Sequence, residues 1–122
     1  MIKTQGNSTT GYTTNITIAQ GETFSESLTL LNSDSTPINL TGYTLEMEIA
    51  LPTPFLMNTG NGGITITNAP AGQAQLLISA ANSKTFPPGS YAYDAFFVSG
   101  GGVSMRCLNG NFIVEQQITA AP

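Results

Sequence analysis

Histidine and tryptophan are absent from the 122-residue chain, cysteine occurs once, and Lys and Arg together number 3. Without histidine the commonest general base, the commonest metal ligand and every His-dependent triad are missing together. The lone Cys107 rules out an intrachain disulfide and a Cys-rich zinc site, and its "MRCLNG" context reads as a strand position rather than a nucleophile. Lys3, Lys84 and Arg106 face seven carboxylates, for a net charge of -4. That balance excludes nucleic acid and anionic lipid as main partners. No apolar run approaches the roughly 18 residues of a membrane span, and "MIKTQGNSTTGYTT" lacks the apolar core of a signal peptide, so the chain is expected to start in a cytoplasm. The sequons at Asn7, Asn15 and Asn39 are then chance matches in a chain rich in Asn and Thr.

What remains is 40% apolar residues with Gly and Pro spread along the chain, enough for one folded domain. Its dominant pattern is alternation. In "FSESLTLLN" Phe24, Glu26, Leu28 and Leu30 share one face, with Leu31 leaving the inner face ambiguous. "YTLEMEIAL" is cleaner, placing Leu45, Met47, Ile49 and Leu51 opposite Thr44, Glu46, Glu48 and Ala50. Between them "NSDSTPINLTG" carries turn chemistry in Asp34, Ser35, Pro37 and Gly42. "GGITITNAPAGQAQLLIS" predicts two short strands around an Ala-Pro-Ala-Gly turn, and "AANSKTF" predicts a single helical turn stopped by Pro87 and Pro88. "GSYAYDAFFVS", "GGGVSMRCL" and "NGNFIVEQQIT" predict a closing meander of three strands. About seven or eight antiparallel strands with regular turn signals indicate an all-β, immunoglobulin-like β-sandwich, with a small β-barrel as the other closure.

Few residues offer chemistry. Asp94 lies in the most aromatic stretch, where parity sets Tyr91, Tyr93, Ala95 and Phe97 against Ala92, Asp94, Phe96 and Val98. Both faces then carry bulk, which predicts a central strand and a carboxylate held by a fixed polar contact such as Arg106. Catalysis would need a second convergent acid. Glu46 and Glu48 share a strand face about 7 Å apart, a separation that paired glycosidase carboxylates also show. The preferred reading gives them a solvent face and protection of a sheet edge. Gly60, Gly62 and Gly63 resemble a phosphate loop superficially, but no helix follows and no Lys is near. Tyr12, Tyr43, Tyr91 and Tyr93 are candidate stacking platforms for a glycan. No residue is assigned to catalysis, to a cofactor or to a metal.

Family resemblance adds to this. "GETF" before a strand, "PINLTG" before the next, the "SAA" connector, "GSYAYD", and "LNGNFIV" ending in Thr recur in this order across residues 20–119. The pattern resembles a small β-sandwich domain of tailed-bacteriophage structural proteins, the N-terminal domain of upper baseplate proteins and related tail proteins. The resemblance implies a non-enzymatic virion component assembled in the host cytoplasm: a tail or baseplate connector or accessory protein, or a capsid decoration protein. The chain departs from the pattern in "ALPTPFLM", where such proteins often carry an Arg, and a receptor-binding module is not expected as part of it. Implied partners are other phage structural proteins and copies of the chain itself, with a host-surface glycan as the further alternative. The expected organisation is a polar N-terminal arm over 1–11, one sandwich domain over 12–119 and a tail at 120–122.

Overall fold

The computed structural model describes residues 2–3, 12–32 and 34–118. Their strands, in chain order, are β1 (Ile2–Lys3), β2 (Tyr12–Thr13), β3 (Ile16–Ala19), β4 (Phe24–Thr29), β5 (Thr44–Ile49), β6 (Phe55–Asn58), β7 (Ile64–Asn68), β8 (Gln73–Ile78), β9 (Gly89–Val98) and β10 (Ser104–Glu115). A 3-10 turn at Ala69–Ala71 joins β7 to β8, and the four-residue helix α1 (Ala80–Ser83) precedes β9.

Alternation dictates which side of each strand is buried. In β5 Leu45, Met47 and Ile49 are buried while Thr44, Glu46 and Glu48 are exposed. In β4 the ambiguity of the Leu pair resolves with Phe24, Leu28 and Leu30 in the core. The segment from Leu30 to Tyr43 then crosses between sheets as an arch. It is held by two Asx-type turns, in which Asp34 accepts from the Thr36 N–H and hydroxyl and Asn39 accepts from those of Thr41. Ile16 and Ile18 on β3 are also buried, a strand that the polar "TTNITIAQ" surroundings conceal.

One sheet has the order β1-β4-β8-β7, and the other β2-β10-β9-β5-β6, with β3 also pairing β10. β2 and β3 run parallel to β10 as one strand interrupted at Thr14 and Asn15. Ile2–Lys3, within the segment expected as a polar arm, pair in parallel with β4; the remaining arm residues and the 120–122 tail lie outside the described residues. Phe112 sits between the sheets in edge contact with Phe24, Phe86 and Tyr93, at centroid distances of 6.1, 6.4 and 6.4 Å. The aromatic ring takes the place of the disulfide and tryptophan that fill the centre of antibody domains.

Two sheets with separate edges make this a sandwich and not a barrel. The order β4-β8-β7 facing β10-β9-β5-β6, with β2 and β3 parallel to β10, is that of an immunoglobulin-like β-sandwich. The corner between β8 and β9 confirms it in detail, since the Tyr91 hydroxyl donates to the Pro87 carbonyl at 2.8 Å, the arrangement of a tyrosine corner.

The expected three-strand meander is corrected. "GGGVSMRCL" and "NGNFIVEQQIT" form the single strand β10, which pairs with β9 from Ser104 to Val114 through a bulge at Cys107. Asn109 and Gly110 make no turn there. Gly110 is needed for another reason: at φ 151 its missing side chain admits the Thr14 carbonyl, which a Cβ would meet at 2.0 Å.

Candidate functional site

The outward face of the six-stranded sheet gathers most of the charged candidates. Register sets them in rows: Glu46 opposite Phe96 with Arg106 beyond it, and Glu48 opposite Asp94 with Asn109 beyond that. Opposed residues on neighbouring strands are separated by about 5 Å between Cβ atoms. The sheet thus brings together Glu48 and Asp94, a pair that no local spacing reveals because its members come from strands far apart in sequence.

Asp94 is on an internal strand, as expected, but its side of that strand faces solvent. Parity buries Tyr93 and Ala95, whereas Asp94 and Arg106 lie 3.8 Å apart with side chains 41% and 36% exposed. The expectation that both faces of β9 are buried is therefore corrected; the second face carries bulk, in Phe96, without being covered by another layer. Arg106 is the anticipated polar contact. Water reaches it, so the pair is screened.

Glu46 and Glu48 face solvent too, but β5 lies between β9 and β6 and guards no edge. Beside them Ala50, Ala92 and Gly110 form the floor of a shallow depression of about 440 Å³, rimmed by Glu48, Asp94, Arg106 and Asn111. A general acid needs a carboxyl held in a desolvated cleft. Here both carboxylates of the close pair stand on an open sheet. No three His, Cys, Asp or Glu side chains group together as a metal cage among the described residues.

The other candidates are engaged in the framework. Burial pushes the Cys107 thiol up from 9.0 to about 12, and its sulfur donates to the Ala95 carbonyl at 3.5 Å, leaving an inert thiol at neutral pH. Tyr93 is buried, with its hydroxyl donated to the Thr14 carbonyl at 2.6 Å; burial, and secondarily the charge on Cys107, raise its pKa. Tyr43 is half-buried and stacked on Phe97 with centroids 5.7 Å apart. With Tyr91 held at its corner, these three do not form an exposed row of rings; the Tyr12 side chain lies outside the description. The half-exposed ring that sequence reading passed over is Phe96, flanked by Glu46, Glu48 and Leu56. Gly60, Gly62 and Gly63 belong to the turn between β6 and β7, where the Asn58 and Asn61 side chains accept the backbone N–H groups. Asn15 accepts from the Asn111 N–H across the parallel pair.

The recurring motifs occupy framework positions throughout. Ser83, next to the "SAA" connector, is fully buried and donates to the Glu22 carbonyl of "GETF" at 2.7 Å. In "LNGNFIV" Leu108, Phe112 and Val114 are core residues and Gly110 is the close approach.

No family model matches the chain, and no curated protein matches it in sequence. Solved structures do match in fold. The N-terminal domain of phage TP901-1 ORF48 superposes with a TM-score of 0.58 at 13% identity, over 93% of this chain and 97% of that one. A chicken TCR superposes with a TM-score of 0.53 at 12% identity, over 99% of this chain and 58% of the receptor chain. The chain therefore shares its fold with a phage domain of matching extent, and spans a little over half of the receptor chain.

Proposed function

We propose that the chain is a non-enzymatic structural component of a bacteriophage virion, a connector or accessory protein of the tail or baseplate. The observation that carries this reading is the end-to-end likeness to a phage domain, 93% of one chain against 97% of the other. The chicken TCR chain, by contrast, is covered over 58% of its length. The motifs that resemble phage tail domains support the same reading, and they occupy framework positions such as Ser83, Leu108, Gly110 and Phe112.

The site chemistry agrees. The opposed carboxylates Glu48 and Asp94 are open to solvent, the thiol is buried and neutral, and the tyrosine hydroxyls of Tyr91 and Tyr93 are bound to backbone carbonyls. A polar, mostly neutral surface suits a part that works by contact with other proteins in a symmetric particle.

Immunolabelling of purified virions in negative stain tests the proposal. Label at the tail or its tip is expected. Label spread over the head would replace the connector role with capsid decoration, and absence of the chain from purified particles would overturn a virion role altogether.

A further inference from the structure

β5 and β9 turn Glu46, Glu48, Asp94 and Phe96 to the same outward face of the six-stranded sheet. What sets this face apart is apolar surface placed among the acids. The half-exposed Phe96 ring lies opposite Glu46, and Leu56, 45% exposed, lies opposite Glu48 on the other side. The outward side of the other sheet gives the contrast, since Ser25, Ser27 and Gln75 there bond to one another in a neutral row. Around Phe96 the charge is compensated on one side only. Arg106, opposite the ring from β10, pairs with Asp94 at 3.8 Å, whereas Glu46 and Glu48 have no ion-pair partner among the described residues. Glu46, Glu48, Asp94, Leu56 and Phe96 border a recess of about 200 Å³, room for one extended side chain.

We propose that this recess is a docking site for an arginine of a different protein, its guanidinium laid on the Phe96 ring between the Glu46 and Glu48 carboxylates and its stem along Leu56. Charge selects the partner. The rows around the ring carry three acids and the single cation Arg106, so they attract a basic surface and repel a second copy, which brings seven carboxylates against 3 Lys and Arg. Ring and acids together select the side chain. A planar guanidinium stacks on an aromatic face and meets carboxylates through a fork of N–H donors, where an ammonium is a more strongly hydrated point charge. The methylene stem of the same side chain covers apolar surface such as that of Leu56. The site is defined by this chemistry whether or not the partner belongs to a virion.

Titration of the isotope-labelled chain with N-acetyl-arginine methylamide, followed by NMR, tests it. Saturable shifts are expected at Glu46, Glu48 and Phe96. The lysine counterpart is expected to bind about threefold more weakly, and the neutral citrulline counterpart about tenfold more weakly. Phe96→Leu keeps apolar bulk and removes the ring, and is expected to weaken arginine binding about threefold; Glu46→Gln with Glu48→Gln is expected to weaken it about fivefold. Both variants change solvent-facing side chains and leave the core in place. The proposal is overturned by an absence of saturable shifts, by shifts as strong at Glu22, Asp34 and Glu115 as on this face, by lysine or citrulline compounds that bind as tightly, or by undiminished binding in either variant.

Discussion

The Tyr93 hydroxyl, on the penultimate strand, holds the Thr14 carbonyl at 2.6 Å, and the same carbonyl rests against Gly110, which has no side chain to repel it. The break between β2 and β3 is thus fixed from two strands. Tyr93→Phe removes a partly buried donor and is expected to cost about 1–2 kcal/mol in urea unfolding. Gly110→Ala places a carbon at 2.0 Å from that oxygen and demands φ 151 of a residue with a Cβ. It is expected to cost more than Tyr93→Phe, on the order of 3 kcal/mol. Equal and small losses would show that β2 and β3 are not fastened here.

Alkaline pH is expected to weaken the fold. Burial raises the Cys107 thiol from 9.0 to about 12, and burial raises the Tyr93 phenol as well. Both groups are neutral in the folded and unfolded chain at pH 7, so neither alters stability there. Above pH 9 the unfolded chain gives up the thiol proton first, and stability falls by up to about 1.4 kcal/mol per pH unit for that group until the folded pKa is reached. Cys107→Ala is expected to be less stable than the native chain at pH 7, by about 1 kcal/mol, yet to have a flatter stability profile between pH 9 and 10.5. Parallel profiles would refute the assignment.

On the acid side the signature belongs to Asp34. The Thr36 hydroxyl, followed by the Thr36 N–H, holds its carboxyl below the usual value of 3.8. A depressed pKa contributes stability above the unfolded value, lost as pH falls through the folded one. Asp34→Asn is expected to flatten the acid limb of the unfolding midpoint below pH 4 while leaving the midpoint at pH 7 nearly unchanged. The group is fully exposed, so the effect is small; a large neutral-pH loss would mean that the arch depends on charge rather than on its turns.

Asp94→Asn is expected to change unfolding stability by less than about 0.5 kcal/mol, because an exposed pair at 3.8 Å is screened by water and salt. A loss above about 2 kcal/mol would restore the reading of Asp94 as a fixed contact of the core.

How much of this is legible in the sequence depends on how local the cause is. β5 can be read letter by letter, because Leu45, Met47 and Ile49 alternate with polar neighbours in one continuous run. The β7–β8 hairpin and α1 are equally readable, since Pro70, Gly72 and Pro87 act on their own neighbours. The long β10 is not. Asn109-Gly110 has turn chemistry, and only the approach of Thr14 from the far end of the chain explains why the pair continues a strand. Asp94 shows the same limit for the candidate site: parity groups it correctly with Ala92 and Phe96, but which group faces water depends on the layer packed behind the sheet. Its opposition to Glu48 follows from inter-strand register, which no single run of residues contains.

The parallel pairing of β3 with β10 also sets a timetable. Ile16 meets Phe112 and Ala19 meets Glu115, so one of the earliest buried segments has its partner in the last strand to be made. Contacts of such long reach close large loops before they return any stabilisation, and sandwiches of this kind fold in milliseconds to seconds. Until β10 arrives, Ile16 and Ile18 have nowhere native to go, and a nascent or truncated chain presents them to whatever else is near. The clasp of β3 by β10 thus makes synthesis as far as Glu115 a physical condition for burying Ile16 and Ile18.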